Sequence, residues 1–185
     1  MIRRIAPGSL RRFWPDERGV AAIEFAFIAP IMMLLYFGLV EFCQGYMASR
    51  RAGHTASIVA DLVAQSDATS TQDLTQIFAI GDMIMRPFSS SELSIRVSSV
   101  TRDDKGVAKI DWSRGNDKAL SALGKNTVVT DLPAGLIEND ESLILGETEF
   151  KYTSAFGQVI KTPITFTRSY YLRPRTVNKV ACSNC

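Results

Sequence analysis

The sequence predicts an α+β protein: a long N-terminal transmembrane helix followed by a small domain of antiparallel strands. Three observations carry that expectation. Phe25 to Val40 reads FAFIAPIMMLLYFGLV, without a charge. Basic residues gather in front of this run. Beyond residue 92, segments alternate apolar and polar residues between turn signals, as half-buried strands do.

Extended back to Val20, the apolar run is broken only by Glu24. At about 1.5 Å per residue, Val20 to Val40 spans roughly 30 Å, the thickness of a hydrocarbon core. A soluble core helix rarely stays apolar on every face for four turns. Arg3, Arg4, Arg11, Arg12 and Arg18 precede the run, and Arg50 and Arg51 follow it. The excess on the N-terminal side predicts a cytoplasmic N-terminus and an extracytoplasmic C-terminal domain. A cleavable secretory signal has a shorter apolar core and a small-x-small site after it. Here the run ends in EFCQGYM, and Val40-Glu41-Phe42 before Cys43 makes no lipobox.

The helix is expected to continue past Val40. Ala48, Ala52, Ala56, Ala60 and Ala64 recur at every fourth position, beside Gly45, Ser49, Gly53 and Ser57. Such residues allow close helix approach to a partner helix or another subunit. Alanine's helix propensity explains them equally simply. A four-residue row drifts about 40° per step, which favours the propensity reading. His54 reads as a polar surface residue. Ser66 to Gln72 reads as a loop, and Leu74 to Met85 as a short amphipathic helix ended by Pro87. Glu92–Arg102 and Val107–Trp112 form a hairpin around Asp103-Asp104-Lys105-Gly106. Asp117 to Leu123 is expected as a short helix. Leu143–Ser154 and Pro163–Leu172 read as two further strands joined by a glycine-containing loop. The expected organisation is a basic leader at 1–19, the transmembrane helix and its extension at 20–66, and an extracytoplasmic α+β domain at 67–185.

The chain has 185 residues, 46% of them hydrophobic, and a net charge of +2. That bounds it to one domain plus an N-terminal segment. Its 22% charged content is too high for a polytopic membrane protein. No clustered basic face marks a nucleic-acid partner. A single histidine and three cysteines leave little for zinc sites or His-based triads. Asp103-Asp104 and Glu138-Asp140-Glu141 lie in expected turns and read as solvated loops. Met32, Met33, Met83 and Met85 read as apolar filler. Cys182 and Cys185 form a C-x-x-C that fits a local disulfide, or a bond to another chain, in an oxidising compartment.

The chemistry concentrates at the membrane entrance, Arg18-Gly19-Val20-Ala21-Ala22-Ile23-Glu24-Phe25. A carboxylate within a membrane helix costs about 2.5–3.5 kcal/mol at the centre and less near the interface. Glu24 alone fits a functional carboxylate or one that snorkels to water. With the basic leader, Gly19, and glutamate at the fifth position after it, the segment resembles a type IV prepilin processing site. The longer stretch ERGVAAIEFAFIAPIMMLLYFGLVEFCQGYMASRR resembles the TadE-like family of minor pseudopilins, with its TadF-type relatives, of tight-adherence (Flp-type) pilus systems. The matching features are Gly19, the Ala21–Phe25 core, Pro30, the Gly38–Phe42 exit and the Arg50-Arg51 pair. GETEFKYTSAF and YYLRPR downstream are compatible with it.

The resemblance implies a pilin-like fold and cleavage between Gly19 and Val20 by a prepilin peptidase. Glycine presents no side chain to a protease cleft. Glu24 would pair with the N-terminal amine of a neighbouring subunit, because a charge in a low-dielectric bundle needs a partner. Pro30 removes one helix hydrogen bond and is expected to kink the helix. The implied partners are the peptidase, other pseudopilins, Tad pilus assembly components and the lipid bilayer. The implied location is the bacterial inner membrane, single-pass, and the pilus or cell surface after assembly. The implied role is pilus assembly, with adhesion downstream. No catalytic residue, metal or cofactor is expected. The alternative is a signal-anchored membrane protein with a periplasmic binding domain.

Overall fold

In the computed structural model, which describes residues 19–133 and 135–185, the apolar run and the small-residue stretch form one unbroken helix. This helix, α1, runs from Val20 to Ala64. The arginines of the leader lie outside the described residues. Two short elements follow, β1 (Ala68–Thr69) and α2 (Thr71–Ile84). After a 3-10 turn at Ser90–Glu92 come β2 (Leu93–Arg102), β3 (Ala108–Gly115), β4 (Ser142–Tyr152), β5 (Ile164–Leu172) and β6 (Ala181–Cys182). The long strands make one antiparallel sheet in the order β3-β2-β4-β5, and β1 pairs with β6 in parallel. The α+β plan read from the sequence is therefore the observed one.

α1 behaves differently in its two halves. From Val20 to Tyr36 every side chain is exposed except the half-buried Ala29, and Phe25 stands 72% exposed. From Glu41 onward one face is buried. Glu41, Gly45, Ala48, Ala52, Thr55 and Val59 fall in alternating four- and three-residue steps, which return to one side of a helix. That face lies on β4, which runs antiparallel to it. Gly45 faces Tyr152, Ala52 faces Thr148, and Ala56 and Ala60 face Gly146. The Thr148 hydroxyl donates to the Ala52 carbonyl at 2.9 Å. A Cβ at Gly146 would stand 2.6 Å from the Ala56 carbonyl oxygen and 2.8 Å from the Ala60 Cβ. The helix backbone thus rests almost directly on the strand.

This seating corrects the propensity reading of the alanine row. Ala48, Ala52, Ala56, Ala60 and Ala64 are all buried, at 0 or 1% exposure. The row can drift around the helix and stay covered because its cover changes along its length. β4 lies under Ala52 to Ala60. At Ala64 the C-terminal segment takes over, where the Arg175 N–H donates to the Ala64 carbonyl at 2.9 Å. The partner of these small residues is the chain's own domain.

α2 starts three residues earlier than expected, inside the segment read as a loop. Ser70 and Asp73 form a capping box, in which Ser70 Oγ accepts from the Asp73 N–H and the Asp73 carboxylate accepts from the Ser70 N–H. Asn184 adds to this end, its side-chain oxygen accepting from the Thr71 N–H at 2.8 Å. The expected helix at Asp117–Leu123 does not form. Asn116 exchanges hydrogen bonds with Leu93 and Ile95, the Ala119 N–H donates to Ser94 Oγ, and Asp117 adopts φ 58°. These side-chain captures hold the segment along β2 in a non-helical path.

The hairpin contains a feature that simple alternation misses. Ser99 pairs with Trp112 while Val100 pairs with Ile110, so Asp111 is an extra residue in β3. The bulge puts Trp112 on the helix-facing side and Ile110 on the opposite side. Asp111 accepts from Ser99, Thr101 and Lys179. In the turn, the Lys109 side chain, with the Val107 N–H, holds the Asp103 carboxyl below its ordinary range. On the outer sheet face Arg96 and Glu147, directly opposite each other, form a two-bond ion pair at 2.7 and 3.0 Å.

Gly146→Val should lower stability by about 1–3 kcal/mol through overpacking. Denaturant unfolding of the detergent-solubilised chain measures this, and unchanged stability would contradict the described seating of α1.

Candidate functional site

The helix entrance carries the residues singled out by the sequence. Gly19 occupies the N-cap of α1 with no side-chain cap, and Val20 is the first helical residue. Among the described residues, a Cβ at Gly19 would meet nothing within 4 Å. Glu24 and Phe25 are exposed one turn further on. Pro30 is inside α1, which continues through it. Cys182 and Cys185 lie at the other end of the molecule, joined to each other with Cα atoms 5.7 Å apart. Their loop is tied to β1 by the Ser183 N–H on the Thr69 carbonyl. About 60 Å of helix separates Glu24 from this end. The entrance residues and the cysteines therefore do not form one site. Cys43 is free and exposed.

The most organised polar site is at the helix exit, at Glu41. Its side chain is fully buried. One carboxylate oxygen accepts from the Gln158 N–H at 2.6 Å, and the other from the Val159 and Ile160 N–H groups at 3.0 and 2.7 Å. Successive backbone N–H groups that converge on one anion form a nest. An ionised carboxylate suits it because it only accepts hydrogen bonds. The loop between β4 and β5 is shaped for the task. Ser154 Oγ accepts from the Phe156 and Gly157 N–H groups, and Gly157 takes φ 63°, a region that favours glycine. Beside the nest, Phe156 packs on Phe37 with ring centroids 5.3 Å apart. Val159 lies over Gly38, where a Cβ would be 3.2 Å from its Cγ2 atom.

Glu41 belongs to the Gly38–Phe42 exit motif, which by itself does not reveal the nest. The signal was available: counting back from Val59 in three- and four-residue steps lands on Glu41. A carboxylate on a buried face requires donors.

An open groove of about 970 Å³ runs between α1 and β5. Its lining includes Tyr46, Arg50, His54, Arg168 and Tyr170, and among the described residues no carboxylate. The Arg51 guanidinium donates to the Ile84 carbonyl, and that of Arg168 to Ser49. Among the described residues no three His, Cys, Asp or Glu side chains are grouped to hold a metal ion.

Residues 19–61 match the family model described as TadE-like protein. The match begins at Gly19 and covers the exposed run, Glu41 and most of the buried small-residue face. No curated protein and no solved structure matches the chain.

Glu41→Gln keeps the shape of the side chain but leaves one acceptor oxygen for three donors. The amides of Gln158, Val159 and Ile160 should then exchange with solvent about tenfold faster or more, while those of β4 keep their protection. Hydrogen–deuterium exchange reads both, and unchanged protection at 158–160 would show that the carboxylate does not hold the loop.

Proposed function

We propose that this chain is a minor pseudopilin that works in the assembly of a tight-adherence (Flp-type) pilus. In this reading it is anchored by a single pass in the bacterial inner membrane, with the sheet domain in the periplasm. A prepilin peptidase cuts it between Gly19 and Val20, and the mature chain acts beside other pseudopilins and Tad assembly components.

One observation carries the proposal: α1 opens at Val20, exposes an apolar face all round to Tyr36, and carries a single exposed carboxylate, Glu24, in that run. The TadE-like match over residues 19–61 supports the same reading. Cleavage after Gly19 leaves this helix on the product and creates an amine at Val20. Glu24 is then one turn from the new terminus, placed to neutralise the amine of an adjacent subunit within the membrane. In this role the protein is a substrate and a building component.

Intact mass and N-terminal sequencing of the membrane-extracted chain, with and without a co-expressed prepilin peptidase, test the proposal. A mature chain that begins at Val20 is expected, with cleavage lost in Gly19→Leu. Glu24→Gln should still be cut but should impair pilus assembly. A chain that begins at Met1 beside an active peptidase would favour the signal-anchored binding protein.

A further inference from the structure

The Glu41 nest does more than close a loop, because it fixes two exposed apolar side chains at a particular depth. Phe156 is 47% exposed and Val159 is 53% exposed. Both touch the last turn of the apolar run, Phe156 at Phe37 and Val159 at Gly38. Phe37 precedes the end of that run by about one helical turn, roughly 5 Å. The loop thus reaches down beside the membrane span. Between Lys151 and Lys161 the segment YTSAFGQVI has no charged residue. Both flanking lysines are exposed, as headgroup-level cations would be.

We infer that the β4–β5 loop is a second membrane contact, inserting Phe156 and Val159 into the outer-leaflet interface of the bilayer that α1 crosses. The partner is the lipid surface, because the loop's apolar tip is continuous with the lipid-facing surface of α1. Interfacial anchoring of this kind draws on buried apolar area plus attraction of flanking cations to lipid headgroups. The consequence is orientation. One helix through a bilayer leaves its domain free to tilt. A second contact, clamped to the helix by Glu41, sets the height and tilt of the sheet above the membrane. The inference rests on the single-pass reading of α1.

The experiment uses full-length chain in phosphatidylcholine–phosphatidylglycerol vesicles, in a Cys43→Ser background with the Cys182–Cys185 bond intact. Nitroxide labels are placed singly at Phe156→Cys, Val159→Cys, Phe27→Cys within the span, and Asp104→Cys in the β2–β3 turn at the far end of the sheet. Power saturation compares access to oxygen, which concentrates in lipid, with access to a water-soluble nickel complex. Labels at 156 and 159 should favour oxygen, as the label at 27 does, while the label at 104 favours nickel. Adding Glu41→Gln should move the 156 label toward the nickel-accessible side. If 156 and 159 behave like 104 while 27 reports lipid, the loop contact is overturned and the anchor stands. If 27 also reports water, the single-pass reading fails and takes the inference with it. Labels at 156 and 159 that are shielded from both reagents would identify a protein partner instead of lipid, and would also overturn it.

Discussion

The absence of a side chain at Gly146 sets the distance at which α1 lies on the sheet. Everything else in the domain is arranged around that contact. With the helix backbone against β4, only small residues fit between them, and Gly45, Ala48, Ala52, Ala56 and Ala60 supply these. The larger apolar groups, Leu93, Ile95, Val97, Phe150 and Trp112, then fill the flanks of the helix. The C-terminal segment closes the far end, where the Trp112 indole N–H donates to the Val180 carbonyl at 2.8 Å. The second half of α1 is thus a core element of the sheet domain as well as the continuation of the exposed apolar run.

This double use joins two kinds of surface in one continuous helix. The first half of α1 presents apolar side chains all round and keeps its backbone hydrogen bonds within the helix, apart from the one that Pro30 removes. The second half is amphipathic in the usual aqueous sense. Glu41 marks the change. Its three N–H donors let a carboxylate sit at the start of the buried face without an orphaned charge.

Much of the fold was legible in the sequence. The apolar run, its length and its place gave α1, and alternation gave the antiparallel strands to within a few residues. What was hidden depended on distant partners. Asp117–Leu123 has helix-compatible composition, yet Asn116 and Ser94 hold it against β2. Asp111 looks like any strand residue until its bulge reverses the faces of Ile110 and Trp112. The alanine row drifts around the helix, and a cover that changes from β4 to the C-terminal segment accommodates that drift. Glu41 could have been found by extending the buried face backward. Its donors could not, since they lie more than 110 residues away. The prepilin-like pattern at Gly19, Val20 and Glu24 depends on local residues alone, so it can be read from the sequence without the fold.

The central claim is that the second half of α1 belongs to the core of the sheet domain. The most direct measurement compares thermal unfolding, by near-ultraviolet circular dichroism, of a soluble fragment of residues 41–185 with one of residues 67–185. The account predicts a cooperative transition for the longer fragment. It predicts none for the shorter one, whose sheet would expose Ile95, Val97, Ile144 and Phe150. A cooperative transition of similar midpoint in both fragments would contradict it.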